Sequence, residues 1–294
     1  MNDQAEMLRK ITGKTHDEAF NENAIKKRAR VITVTSGKGG VGKTSIAVNL
    51  AIHLSRKGLK VVILDFDFGL SNVDVLFGIV PNHTLLDVVH GEKNMFEVLT
   101  NGPDNIKFLS GGSGVEELIR LDRRQTRKLI ANINILDKLF DVILIDTGAG
   151  LLRNVMNFVM AADEVVLITT PEPTAITDAY ALIKMVSRRD RKKQINIVVN
   201  KADTLKEAEN VANKLCLVSE KFLSLRLSKL GYILYDDNVT KSVKLQKPLS
   251  LYNSKSTASK SIGEIADRMF SDSNGMDNQG AKGFISKLLS FFSA

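Results

Sequence analysis

Residues 31–45 read VITVTSGKGGVGKTS, and this stretch decides the fold. Five β-branched residues (31–35) predict a strand buried on both faces, because β-branched side chains suit a pleated, packed surface. A glycine loop follows, and then an apolar periodic segment, 44–57, that predicts a helix. Gly37, Gly42, Lys43 and Thr44 fit the pattern G-x-x-x-x-G-K-[ST] in its required strand–loop–helix setting. Gly37, Gly39, Gly40 and Gly42 let the backbone of Lys38, Val41 and their neighbours curl so that its N–H groups point inward at phosphates. The following helix adds its positive end beside Thr44 and Ser45. Lys43 is expected to reach the β- and γ-phosphates, and Thr44 to hold Mg²⁺.

Working outward, short β-branched runs recur at 60–64, 106–109, 141–145, 164–168, 195–199 and 230–234. They are continuous rather than alternating, as strands buried on both faces are. Helical patterns at 122–138, 173–188 and 205–227 separate several of them. The alternation predicts an α/β fold: a doubly wound, mostly parallel sheet with helices on both faces. Ligands bind such sheets beyond the carboxyl ends of the strands.

Carboxylates stand at two more of those ends. The run at 60–64 leads into Asp65-Phe66-Asp67, which projects two acids to one side of an extended chain. The run at 141–145 leads into Asp146-Thr147-Gly148-Ala149-Gly150, an aspartate expected to bind Mg²⁺ through water, before glycines that let a loop reorganise. A single aspartate at a strand end is as often a helix cap as a ligand. Three beside a phosphate loop are far more specific. Asn200, after 195–199, carries an amide suited to an adenine edge. Residues 200–203, Asn-Lys-Ala-Asp, also resemble a guanine-reading motif, in which Asp203 would favour guanine.

The second loop lysine, Lys38, is extra to the general pattern. KGGVGKT resembles the deviant phosphate loop of the MinD/ParA class of ATPases, and the resemblance implies ATP with Mg²⁺. It also implies a homodimer formed with ATP, in which Lys38 crosses to the partner's nucleotide. From the same resemblance, Asp65 supports the Mg²⁺ shell and Asp67 positions the attacking water, so Lys38, Lys43 and Asp67 form the catalytic set. The class usually has a proline near the other adenine contact, where this chain has Leu234 and Tyr235.

The two ends sharpen the reading. Asp3-Gln4-Ala5-Glu6-Met7-Leu8-Arg9 matches a DQAxxLR motif, and with DTGAG and TTPEPT it resembles the FlhG (YlxH/FleN) family of flagellar regulators. The resemblance implies control of flagellar number or placement, possible flagellar switch or C-ring partners, and stimulation of an FlhF-like GTPase. In that contact Asp3, Gln4, Leu8 and Arg9 would serve, with Gln4 inserted toward the GTPase site. The implied layout is an activator segment and linker over 1–29, an ATPase domain over 30–270, a linker over 271–281 and an amphipathic helix over 282–294. In that helix Phe284, Ile285, Leu288, Leu289, Phe291 and Phe292 cover an arc of about 160°. The arc predicts a surface helix on an anionic membrane. The alternative is docking on the protein's own surface or in a dimer groove, and both can hold in different nucleotide states.

Composition bounds the rest. The chain has 294 residues and a formal net charge of +8, with eight Lys/Arg against two Asp/Glu over 221–260. That balance fits an acidic partner surface and keeps a ParA-like DNA-binding reading in view, which the amphipathic end disfavours. Cys216 is the only cysteine, which excludes an intrachain disulfide and a cysteine-rich metal site. The polar start and the lack of a long apolar run predict a cytoplasmic protein that is peripheral on the membrane when ATP-bound.

Overall fold

The computed structural model describes residues 28–67, 72–111, 121, 123–271 and 278–292. Asp3, Gln4, Leu8 and Arg9 lie outside the described residues.

The strand after Ala29 is β1 (Arg30–Thr35), and the phosphate loop leads to α1 (Lys43–Arg56). There follow β2 (Val61–Phe66), three short helices α2 (Val73–Phe77), α3 (Leu85–His90) and α4 (Met95–Val98), then β3 (Thr100–Asn101) and β4 (Lys107–Ser110). The chain continues through α5 (Arg123–Leu139), β5 (Val142–Thr147), α6 (Arg153–Ala161), β6 (Glu164–Thr169), α7 (Pro173–Arg189), β7 (Gln194–Ala202) and α8 (Leu205–Leu223). It closes with β8 (Ser228–Leu234), α9 (Asp237–Lys244), α10 (Leu249–Tyr252), α11 (Thr257–Ser271) and α12 (Gly280–Phe292).

The eight strands form one sheet in the order β3-β4-β2-β5-β1-β6-β7-β8. Every pairing is parallel except the β3–β4 edge, so the expected doubly wound sheet is present. Alternation within each strand divides the core. Ile32, Val34, Ile63 and Leu144 face α1 and α11, while Val31, Val62, Ile143 and Ile145 face the layer built from α3, α5, α6 and α12. Val165, Leu167, Ile195 and Ile197 carry that second layer on to α7 and α8. The helical pattern over 205–227 stops earlier than its periodicity suggested, because Ser224 adopts φ 52° and ends α8.

The terminal helix lies on the domain itself. Phe284, Ile285, Leu288 and Leu289 are buried among residues of α5 and α6, and Phe291 and Phe292 pack at the border. Phe158 of α6 sits between Phe284 and Phe292, with ring centroids 6.4 Å from each. The docked alternative is thus the arrangement this structure has. Its first turn is held by Asp137, whose Oδ1 accepts from Ala281 N at 2.7 Å and whose Oδ2 accepts from Lys282 N at 3.2 Å. A Cβ at Gly280, where φ is 73°, would stand 2.5 Å from the same carboxylate, so the position requires glycine.

Candidate functional site

At the carboxyl ends of β1, β2 and β5 the predicted residues converge. Gly37 is pressed against α7: a Cβ there would lie 2.3 Å from the Asp178 carbonyl carbon. Gly42 takes φ 97° as the cap of α1, and a Cβ there would meet the Asn200 amide at 2.6 Å. The loop is braced from three sides. Asn200 Nδ2 donates to Val41 O at 2.8 Å, Lys201 Nζ donates to Gly40 O at 2.8 Å, and Gly150 N donates to Ser36 O at 3.0 Å. The last bond ties the switch loop to the phosphate loop. Asn200 therefore supports the loop here, with its amide N–H on a carbonyl, and it also borders a small cleft beside the loop. Gly42, Asn200, Leu234, Tyr235 and Leu249 border that cleft.

Lys43 and Asp146 are buried, and Asp65 is 2 % exposed. Asp65 and Asp146 are register partners on adjacent strands, so two carboxylates stand side by side. They differ in how they are satisfied. Asp65 accepts from the backbone N–H groups of Asp67, Asn72 and Val73, and so caps the start of α2. Its geometry gives it a capping duty beside the metal-supporting one expected from the sequence. Neither oxygen of Asp146 accepts a well-formed hydrogen bond, although the Thr44 hydroxyl is near enough to act on it. A fully buried, under-satisfied carboxylate between Lys43 and Thr44 fits a hydrated divalent cation. Asp67 accepts from Asn72 Nδ2 at 3.1 Å, and its Oδ1 lies 3.0 Å from where a Cβ on Gly148 would stand. It thus lies against the switch loop.

Burial pushes the Asp146 carboxyl up to about 7, with the nearby Asp65 charge adding to it and Lys43 opposing it. Burial likewise raises Asp65 to about 6, against the pull of its three backbone donors. A folded-state value above the unfolded one favours the acid form in the fold. The stability tied to these groups is full below pH ~4 and is lost as pH rises through about 7. Asp146→Asn removes the buried charge. Without nucleotide it should raise the melting temperature at pH 8 by about 3 °C, with a smaller gain at pH 5. Mg²⁺-dependent stabilisation by nucleotide should disappear in the same variant. Thermal melts at both pH values check this, and an unchanged melt at pH 8 would contradict it.

Lys38 points away from its own phosphate loop. Its Nζ lies 2.6 Å from Glu172 Oε2 and 2.9 Å from Thr174 Oγ1, at the start of α7. Nothing in sequence spacing links Glu172, within TTPEPT, to a loop 134 positions earlier. Leu151 and Leu152, which follow the switch glycines, are 36 % and 68 % exposed. Among the described residues, no group of His, Cys, Asp and Glu side chains forms a protein-only metal cluster. The metal donors here are few, as suits a cation that keeps waters and phosphate oxygens.

Comparison with known proteins agrees with this geometry. The family described as AAA domain matches residues 29–199. The chain is 40% identical over 240 residues to the antiactivator FleN of Pseudomonas aeruginosa, covering 82% of this chain and 86% of FleN. It is 33% identical to the flagellum site-determining protein YlxH of Helicobacter pylori, covering 99% of each. The septum site-determining protein MinD of Pyrococcus horikoshii, solved in complex with Mg-ADP, superposes with a TM-score of 0.66 at 25% identity, covering 82% of this chain and 96% of that one. Site and likeness together define a class, the MinD-type P-loop ATPases, which hydrolyse ATP with the help of Mg²⁺. Within that class, the chain belongs to the FleN/YlxH family, the family also called FlhG.

In this site, bound Mg²⁺ supplies charge to the phosphate oxygens. Thr44 and Asp146 would hold it, with Asp65 supporting. The loop N–H groups and Lys43 would bind and orient the triphosphate, and Asp67, which lies against Gly148, would orient water.

Proposed function

We propose that this protein is an ATP-driven switch that sets flagellar number or placement. ATP would close a homodimer through Lys38, the dimer would reside on the membrane through α12, and hydrolysis would reset it. The names of the relatives, an antiactivator FleN and a flagellum site-determining YlxH, support the flagellar role. One observation carries the switch: α12 packs on α6, the helix that leaves the switch loop. A rearrangement at Gly148–Gly150 is therefore one helix away from the apolar face that would enter lipid. The N-terminal DQAEMLR segment would stimulate an FlhF-like GTPase, with flagellar switch or C-ring components as further readers.

Among the described residues no helix is long and apolar enough to cross a membrane. An α12 of 13 residues suits peripheral binding instead. Co-sedimentation with anionic vesicles should therefore depend on nucleotide. Binding is expected with Mg²⁺ and a non-hydrolysable ATP analogue, and little with ADP. Equal binding in both states, or none in either, would remove the switch reading.

A further inference from the structure

All the parallel strands start at one edge of the sheet, opposite the phosphate loop. Acids and cations behave differently there. Asp137 accepts from Ala281 N and Lys282 N, and Asp163 accepts from Val31 N and Gln279 N, both at 3.0 Å. Asp141 accepts from Lys60 N at 2.9 Å, and Asp190 from Lys192 N at 2.8 Å. Glu164 is buried against Arg30 and Asn196. Each of these carboxylates is thus turned inward, onto backbone N–H groups or a buried guanidinium, whereas Asp267 near the end of α11 stays exposed and pairs with Lys57.

The cations face outward. Arg28, Lys60, Lys138 and Lys282 line an open cavity of about 1150 Å³ at the root of α12. On the other side Arg188, Arg189, Arg191 and Lys192 are exposed where α7 ends and β7 begins. Between the two groups lies Lys193, its Nζ bonded to Met160 O at 3.2 Å, and the charge of Lys287 from α12 reaches it. The terminal helix therefore lies between two basic stretches of the domain body.

We propose that this edge is a docking surface for an anionic lipid bilayer, acting beside α12 as a second membrane contact. The proposal rests on the membrane reading above. Two features favour lipid over another polyanion. The basic residues flank an apolar helix, which a phosphate lattice such as duplex DNA has no use for. The tether is also short: residues 272–279 join the end of α11 at this edge to α12, and eight residues span at most about 29 Å. With the helix in the lipid boundary, the edge must hang within that distance of the headgroups, where lysines and arginines are attracted electrostatically. A single short helix anchors marginally, and a basic surface beside it supplies the second signal that firm residence needs.

The test is the triple variant Lys60→Glu/Lys138→Glu/Lys192→Glu of the full chain, with Mg²⁺ and a non-hydrolysable ATP analogue. The probes are phosphatidylcholine vesicles with and without phosphatidylglycerol. The wild type is expected to prefer the phosphatidylglycerol vesicles. The variant should lose that preference, binding them about tenfold or more weakly, while its binding to neutral vesicles, melting temperature and ATP turnover stay unchanged. Added salt should erase the difference. A variant that keeps the wild-type preference overturns the surface and leaves the membrane reading standing, since Lys282 and Lys287 would then suffice. Salt-sensitive binding to duplex DNA, lost in the variant while vesicle binding persists, assigns the edge to nucleic acid and overturns it too. A wild type that binds no vesicles fails the membrane reading itself, and the surface with it.

Discussion

Lys38→Ala is expected to lower ATP turnover about 10³-fold or more, with nucleotide binding nearly unchanged. The expectation follows from where the side chain is. Its ammonium rests on Glu172 and Thr174, half exposed and outside its own phosphate cradle. Breaking a surface ion pair of this kind costs the fold little. The neighbouring Lys43 keeps the cis charge on the phosphates. On the proposed dimer, what the variant loses is a cation that a second subunit would bring to the transition state. A mixing experiment distinguishes this from a local defect. Lys38→Ala combined with Asp67→Ala should regain turnover, because one site of the mixed dimer then has an intact Asp67 and an intact lysine from across the interface. If the mixture stays as inactive as either parent, Lys38 acts within its own subunit.

Asp67→Ala is the second large effect. Removing the carboxylate proposed to orient water should reduce turnover about 10²- to 10³-fold while ATP-dependent dimerisation and vesicle binding persist. The carboxylate sits on Asn72 and faces Gly148, and it takes no part in bracing the phosphate loop. Nothing in its contacts is needed to hold ATP. The variant should accumulate as a dimer on size-exclusion chromatography with Mg²⁺·ATP, where the wild type returns to monomer as ATP is consumed. A variant that never dimerises would show that Asp67 shapes the closed state as well as the chemistry.

Much of the sheet and the phosphate site could be read from residues. β1, β2, β5, β6 and β7 correspond to β-branched runs, because a strand buried on both faces is apolar nearly throughout, while β4 (KFLS) and β8 (SKLGYIL) are marked by short apolar stretches instead. The two-residue β3 left no trace, since it is an antiparallel edge held by its pairing with β4 rather than by a buried side-chain pattern. The short α2, α3 and α4 were also invisible, being too brief to show a period; α4 is fixed by the Asn94 capping box, and α2 by Asp65 reaching forward from a strand. Lys43 is legible from motif spacing, the three acids and Asn200 from their places after β-branched runs, and Lys38 through the family resemblance. The seat of Lys38 on Glu172 is not, because it joins segments far apart in the chain. The amphipathic arc of α12 was legible as well, but what covers it was not. An arc of phenylalanines and leucines has the same pattern whether it meets lipid or α5 and α6.

The close approach at Gly37 bears on what the lysine can sense. The phosphate loop touches α7 backbone to backbone, at Asp178, and no side chain there can yield. Loop and helix therefore travel together, and Glu172 and Thr174 travel with them at the head of α7. Bending of the sheet or breathing of the outer helices should leave the distance from Lys38 to its seat little changed. On the proposed dimer, a competing anion from a second subunit would have to outbid that seat. The arrangement would then work as a noise filter: the lysine would be deaf to the domain's own motion and answer to the arrival of a second loaded copy.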